Sequence, residues 1–180
     1  MPKEKLEFPR PVRPADVTPQ MIDDGVLYYR HNGGLMSKVL EVRPVQIPQT
    51  AEAGVPLLVK IGYWVRHEEG SMFTNALGED DTPLFLEQMP QVGMGATLVY
   101  PDDRYPYTVI EVLDANTIVV QEDLVDHQSG NFRAGNVKWT STPSPLGTTY
   151  TIKYREGRGW RCEELLFTVG SRDYYMSPEI

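Results

Sequence analysis

Residues 92–123, VGMGATLVYPDDRYPYTVIEVLDANTIVVQED, decide the fold. Residues 96–100, 107–113 and 117–122 are rich in β-branched and aromatic side chains, while the breaks between them, PDDRYP and DAN, hold the Pro, Asp and Asn that turns favour. Breaks this short join antiparallel neighbours, so the stretch predicts a three-stranded meander. Downstream, residues 150–155 and 165–169 flank a Gly-rich turn in EGRGW and supply further strands. Residues 126–147, rich in Ser, Gly, Thr and Pro, read as a long exposed excursion. The fold class expected is mainly β, with residues 92–180 forming a small antiparallel β-barrel, SH3-like or related.

Upstream, residues 26–91 read as a β-rich layer. VLYYR (26–30) and LMSKVLEV (35–42) are separated by HNGG, whose Asn32-Gly33 pair suits a hairpin. LLVKIGYWV (57–65) is a strong strand candidate, and residues 66–81 read as a polar loop. Asp81-Thr82-Pro83 offers an N-cap followed by proline, predicting one short helix near 83–89 that ends before Pro90. Residues 1–25 hold Pro2, Pro9, Pro11, Pro14 and Pro19, a density that predicts an extended Pro-rich arm without helix. Phe8, Val12 and Val17 are the candidates for docking that arm on its own body or on a neighbour.

The chain has 180 residues, 41% hydrophobic and 23% charged, enough for one domain of ordinary size plus an extension. Its formal charge of -8 argues against duplex DNA, whose nonspecific affinity requires cations against phosphates. Cys162 is the single cysteine, so neither an intrachain disulfide nor a thiolate zinc cage can form. MPKEKLEFPRP lacks the apolar core of a secretory signal, and no apolar run reaches the ~18 residues of a membrane span. Cytoplasm, or a particle assembled there, is the expected location.

Two polar clusters are candidate sites. Asp102, Asp103 and Arg104 occupy one turn, where two carboxylates could divide acid and base roles and Arg104 could clamp an anion, or where all three could simply build the turn. Arg172, Asp173, Tyr174 and Tyr175 form the other, and with Arg104, Tyr105 and Tyr107 they would make a stacking edge for a nucleotide or a partner protein if the tail closes beside the turn. His31, His67 and His127 lack ligand spacing and read as surface residues, and HEE at 67–69 lacks a zincin's returning histidine. Gly93-Met94-Gly95 precedes a strand, not the helix a dinucleotide loop needs. Lys153, Arg155, Arg158 and Arg161 around Trp160 make a local basic stretch, either a solvated hairpin or a phosphate contact with base stacking. No catalytic set, metal site or cofactor is expected.

The succession GMGATLVYPDDRYPYTVIEV, IVVQED, YTIKYREGRGW and VGSRDYYMSPEI resembles a family of small bacteriophage-encoded β proteins with a DR-containing turn, a TVIEV-like strand and a YY tail. The resemblance spans roughly residues 92–180. It implies a viral protein, in the virion or the host cytoplasm, and with the arm it leads to an expectation: a non-enzymatic virion accessory, such as a capsid cement or head-tail protein. Its expected partners are other proteins, including virion subunits or copies of itself, and neither duplex DNA nor membrane. The alternative is an early host-takeover or anti-defence protein that sequesters a small nucleotide or blocks a basic host protein.

Overall fold

The computed structural model describes residues 7–31, 35–47, 60–75, 86–131 and 137–177. They fall into two units, Arg10–Met89 and the residues up to Pro9 together with those from Pro90 onward. The sequence-based boundaries were 25/26 and 91/92. The second lies close to the observed one, whereas the first falls inside a unit.

The unit Arg10–Met89 contains β1 (Arg10–Val12), a 3-10 turn (Pro14–Asp16), α1 (Pro19–Asp23), β2 (Leu27–Arg30), β3 (Met36–Ile47), β4 (Lys60–His67), β5 (Gly70–Asn75) and β6 (Leu86–Gln88). The strands form one antiparallel sheet in the order β1-β6-β2-β3-β4-β5. Val12, Leu27, Val39, Val65 and Leu86 fill its core, and Val17, Met21 and Ile22 pack against them.

Three expectations are corrected here. The helix expected near 83–89 is absent from its described part, because Leu86–Gln88 is a strand held between β1 and β2. Leu86 is buried, and Glu87 forms a paired contact with Arg30, Nε to Oε1 and Nη2 to Oε2, both at 2.7 Å. Ladders on both sides plus this bidentate bridge outweigh a local helix signal. The N-terminal segment is not simply extended. It makes the 3-10 turn and α1, and each starts on a proline at its first turn, where the missing N–H costs nothing. Within the expected polar loop, Gly70–Asn75 pairs with β4 across a tight turn at Glu68 and Glu69.

The second unit holds β7 (Gly95–Val99), β8 (Arg104–Asp114), β9 (Thr117–Ser129), β10 (Lys138–Pro143), β11 (Thr149–Arg155), β12 (Gly159–Cys162) and β13 (Leu165–Val169). Six of these close into an antiparallel barrel, β9-β11-β12-β13-β7-β8, with β8 returning to β9. Closure leaves no unpaired edge among the six. Leu98, Tyr107, Val109, Ile118, Val120, Ile152, Trp160 and Phe167 fill the interior, alternating along their strands with outward residues. Each large side chain buried this way contributes about 1.5–3 kcal/mol.

The excursion expected over 126–147 is strand over 126–129 and 138–143, while 144–147 form an exposed turn. β9 runs on to Ser129, and β10 pairs with it from Lys138↔Ser129 to Pro143↔Asp123. Phe8 belongs to the barrel core: its N–H donates to the Val169 carbonyl at 2.9 Å, and its own carbonyl accepts from Trp160 Nε1 at 2.6 Å. The arm's apolar residues therefore divide, Phe8 to the barrel and Val12 and Val17 to the core of the other unit.

Candidate functional site

After β13 the chain turns back across the outside of β7 and β8. Thr97 Oγ1 fixes the start of this path, donating to the Ser171 carbonyl (2.9 Å) and accepting from the Asp173 N–H (3.0 Å). Arg104 and Tyr175 then exchange two backbone hydrogen bonds, at 2.7 and 3.0 Å. Asp103 Oδ1 accepts from the Ser177 N–H at 2.8 Å. The path needs a glycine beneath it. A Cβ at Gly95 would stand 2.6 Å from Arg172 Cγ and 2.9 Å from the Arg172 nitrogen, closer than such atoms approach.

Arg172 anchors the tail electrostatically. Its Nη2 donates to the Gly93 carbonyl (2.9 Å) and its Nε to Thr108 Oγ1 (3.1 Å), while Thr108 Oγ1 donates to Asp123 Oδ1 (2.6 Å). Asp123, with a side chain 0% exposed, brings Oδ2 to 3.1 Å from the same Nε. That oxygen has no hydrogen-bonding angle because the N–H points at Thr108, so the Arg172–Asp123 attraction is coulombic.

This docking creates a row of rings. Tyr100 meets Tyr105 with centroids 5.8 Å apart, Tyr105 meets Tyr174 at 6.1 Å, Tyr174 meets Trp139 at 4.8 Å, and Trp139 meets His127 at 5.3 Å. All four contacts are edge-to-face, the arrangement that aromatic quadrupoles favour. Burial first, then the Asp103 carboxylate, push the Tyr105 and Tyr174 phenols above the ordinary value of 10, so both remain hydrogen-bond donors at neutral pH. Tyr175, 55% exposed, and Met176 continue the exposed surface along the tail.

The residues expected at a stacking edge thus separate. Tyr105, Tyr174 and Tyr175 lie on it. Tyr107 does not: at 3% exposure it packs in the barrel against Tyr150 and Phe167, while Tyr105, two residues earlier on the same strand face, packs only partly against that core and keeps a surface toward Tyr100 and Tyr174. Arg104 is engaged at home, its Nη1 donating to the Tyr100 carbonyl at 2.5 Å and the Asp103 carbonyl at 2.7 Å. Arg172 is engaged as above, and Asp173 supplies its backbone N–H to Thr97. Sequence reasoning missed Trp139 and His127. No sequence signal marked them: residues 138–143, KWTSTP, lack an apolar alternation, and the inward lean of Trp139 and Ser141 shows only in the folded strand.

A second polar cluster lies in the other unit. His31 and His67 come within 5.0 Å of each other beside Tyr29, and His31 Nε2 lies 2.7 Å from Ser37 Oγ. The expectation of surface histidines fails for His67, which is buried. A serine–histidine contact is one element of nucleophilic catalysis, but Ser37 is 1% exposed, so the hydroxyl is a packed core group. Among the described residues, no group of three or more His, Cys, Asp or Glu side chains could hold a metal ion, and no helix is long and apolar enough to cross a membrane.

Comparison with protein-family models, with curated proteins and with solved structures found no match to this chain.

Proposed function

We propose that this chain is a non-enzymatic binding protein whose docking surface is the aromatic edge laid down by its C-terminal tail, and that it serves as a virion accessory. The observation that carries the binding reading is the ring row Tyr100–Tyr105–Tyr174–Trp139–His127, continued by the exposed Tyr175 and Met176. Tyr, Trp and Met are the residues enriched where proteins bury one another, and rings already braced by neighbours lose little entropy on binding. The virion assignment comes from the phage-like pattern of residues 92–180. The N-terminal arm lends it no support, because Phe8, Val12 and Val17 are all packed within this chain.

Nucleotide sequestration at the same edge is the weaker reading. Arg172, one of the two cations that would hold a phosphate there, has its charge met by the buried Asp123 carboxylate and its Nε and Nη2 taken by Thr108 and the Gly93 carbonyl. A photo-crosslinking residue at Tyr175 distinguishes the two in purified phage particles. Transfer to one defined structural protein supports docking through the edge; no adduct at Tyr175, with an adduct from a position on β11, would overturn it.

A further inference from the structure

We propose that the outer face of β11–β13 is a binding site for a small phosphate-rich anion of the di- or triphosphate class. This inference is independent of the aromatic edge, which lies on other strands.

An open cleft of about 730 Å3 lies on this face, lined by Lys153, Arg155, Arg158 and Arg161, with Glu163 and Glu164 at one end. That volume is in the range of small-molecule sites. Strand alternation puts Lys153 and Arg155 outward on β11, while Ile152 and Tyr154 point in. Lys153 stands directly opposite Arg161 in the β11–β12 ladder. Like charges facing each other across a ladder destabilise a sheet. Even so, none of Lys153, Arg155 and Arg158 has a carboxylate within 4 Å among the described residues, in a chain with 25 acidic and 17 basic residues.

Arg161 is braced. Its Nε donates to the Arg158 carbonyl at 3.2 Å and its Nη1 to the Glu164 carbonyl at 3.3 Å. Carbonyls orient the guanidinium without cancelling its charge. Arg158 sits at the tip of the β11–β12 turn between Gly157 and Gly159, both at φ 71°. Positive φ on both sides of one residue is a conformation glycine adopts at no steric cost, and the turn it makes places Gly157 and Arg158 in the cleft's lining. The opposite turn, at the β12–β13 end, carries Glu163 at φ 53°, the one non-glycine residue with positive φ among those described. Strain of this kind persists where the surroundings impose it, often at ligand sites.

The arrangement also selects the ligand's class. The Cβ atoms of Lys153 and Arg161 stand about 5 Å apart across the ladder and those of Lys153 and Arg155 about 7 Å apart along the strand, so the cations gather on one face and suit a multiply charged anion more than a singly charged one. Among the described residues no aromatic ring lines the cleft, and Trp160, 2% exposed, points into the barrel. Recognition therefore rests on phosphate charge, with no stacked base.

Isothermal titration of the full-length protein with tripolyphosphate, ATP, orthophosphate and a ten-nucleotide single strand, at low and moderate salt, tests this. Tripolyphosphate and ATP are expected to bind one per chain with similar affinity, each much tighter than orthophosphate. Lys153→Ala and Arg158→Ala should each weaken them about tenfold or more, and Glu163→Gln with Glu164→Gln should tighten them. Lys153→Ala also removes a like-charge pair, so its melting temperature should hold or rise while binding is lost, which separates a lost site from a lost fold. No heat at low salt, binding unchanged by both cation variants, or the oligonucleotide binding far tighter than tripolyphosphate would each overturn the assignment.

Discussion

Arg172→Ala tests whether the C-terminal tail is part of the barrel or merely lies on it. The substitution removes the contacts to Gly93 and Thr108 and leaves Asp123 as a fully buried carboxylate with only Oδ1 hydrogen-bonded. Breaking a fully buried ion pair from one side costs about 3–5 kcal/mol. Arg172 retains 32% of its side-chain exposure, and screening through that surface brings the expected loss to about 2–3 kcal/mol. For a unit of about 100 residues this lowers the barrel's melting temperature by about 10–20 °C. Near-UV circular dichroism should fall with it, because Tyr174 leaves Trp139 and Tyr105. Adding Asp123→Asn should recover part of the loss, since it removes the stranded charge while Thr108 keeps a partner. A melting point within about 2 °C of the parent, or a double variant no more stable than the single, would refute this account of the anchor.

Gly95→Ala should release the same segment sterically, costing about 2–4 kcal/mol by urea unfolding with loss of amide protection at Asp173 and Tyr175; retained protection would contradict the close approach. Burial first, then His31, hold His67 below the ordinary histidine value of 6.5, with Glu69 opposing. The unfolded chain then takes up the proton more readily, so this contribution is complete above about pH 7 and is lost as pH falls, by at most about 1.4 kcal/mol per pH unit. Urea melts at pH 7 and pH 5 should show a smaller difference for His67→Gln than for the parent; an equal or larger one would assign the slope elsewhere. Glu163→Asn should raise stability by about 0.5–1 kcal/mol by placing a residue tolerant of positive φ at that turn, and a decrease by chemical denaturation would argue against strain there.

The barrel was legible because its strands carry their own signals. The meander over 92–123 alternates between short turns, and its three strands lie where the β-branched runs put them, as β7, β8 and β9. Elements decided by distant partners were not legible. Leu86–Gln88 follows the helix-start pattern Asp81-Thr82-Pro83, and only the strands on either side and Arg30 make it extended. Pro19 was counted against helix when at the first turn it is neutral or favourable. At the edge, Tyr105 and Tyr174 could be foreseen as neighbours from a tail that returns to the turn. Trp139 could not, since β10 had been read as part of a Ser- and Pro-rich loop. Arg104 and Arg172 looked free in sequence because a sequence does not show which carbonyls and carboxylates a guanidinium will meet.

Copy number in purified phage particles is the most direct test of the binding role. Quantitative mass spectrometry should find the parent protein in fixed stoichiometry with a major structural protein. Tyr174→Ala combined with Trp139→Ala, at unchanged barrel stability, should reduce it to trace amounts. Absence of the parent from particles, or full occupancy by the double variant, would contradict a virion accessory that docks through its aromatic edge.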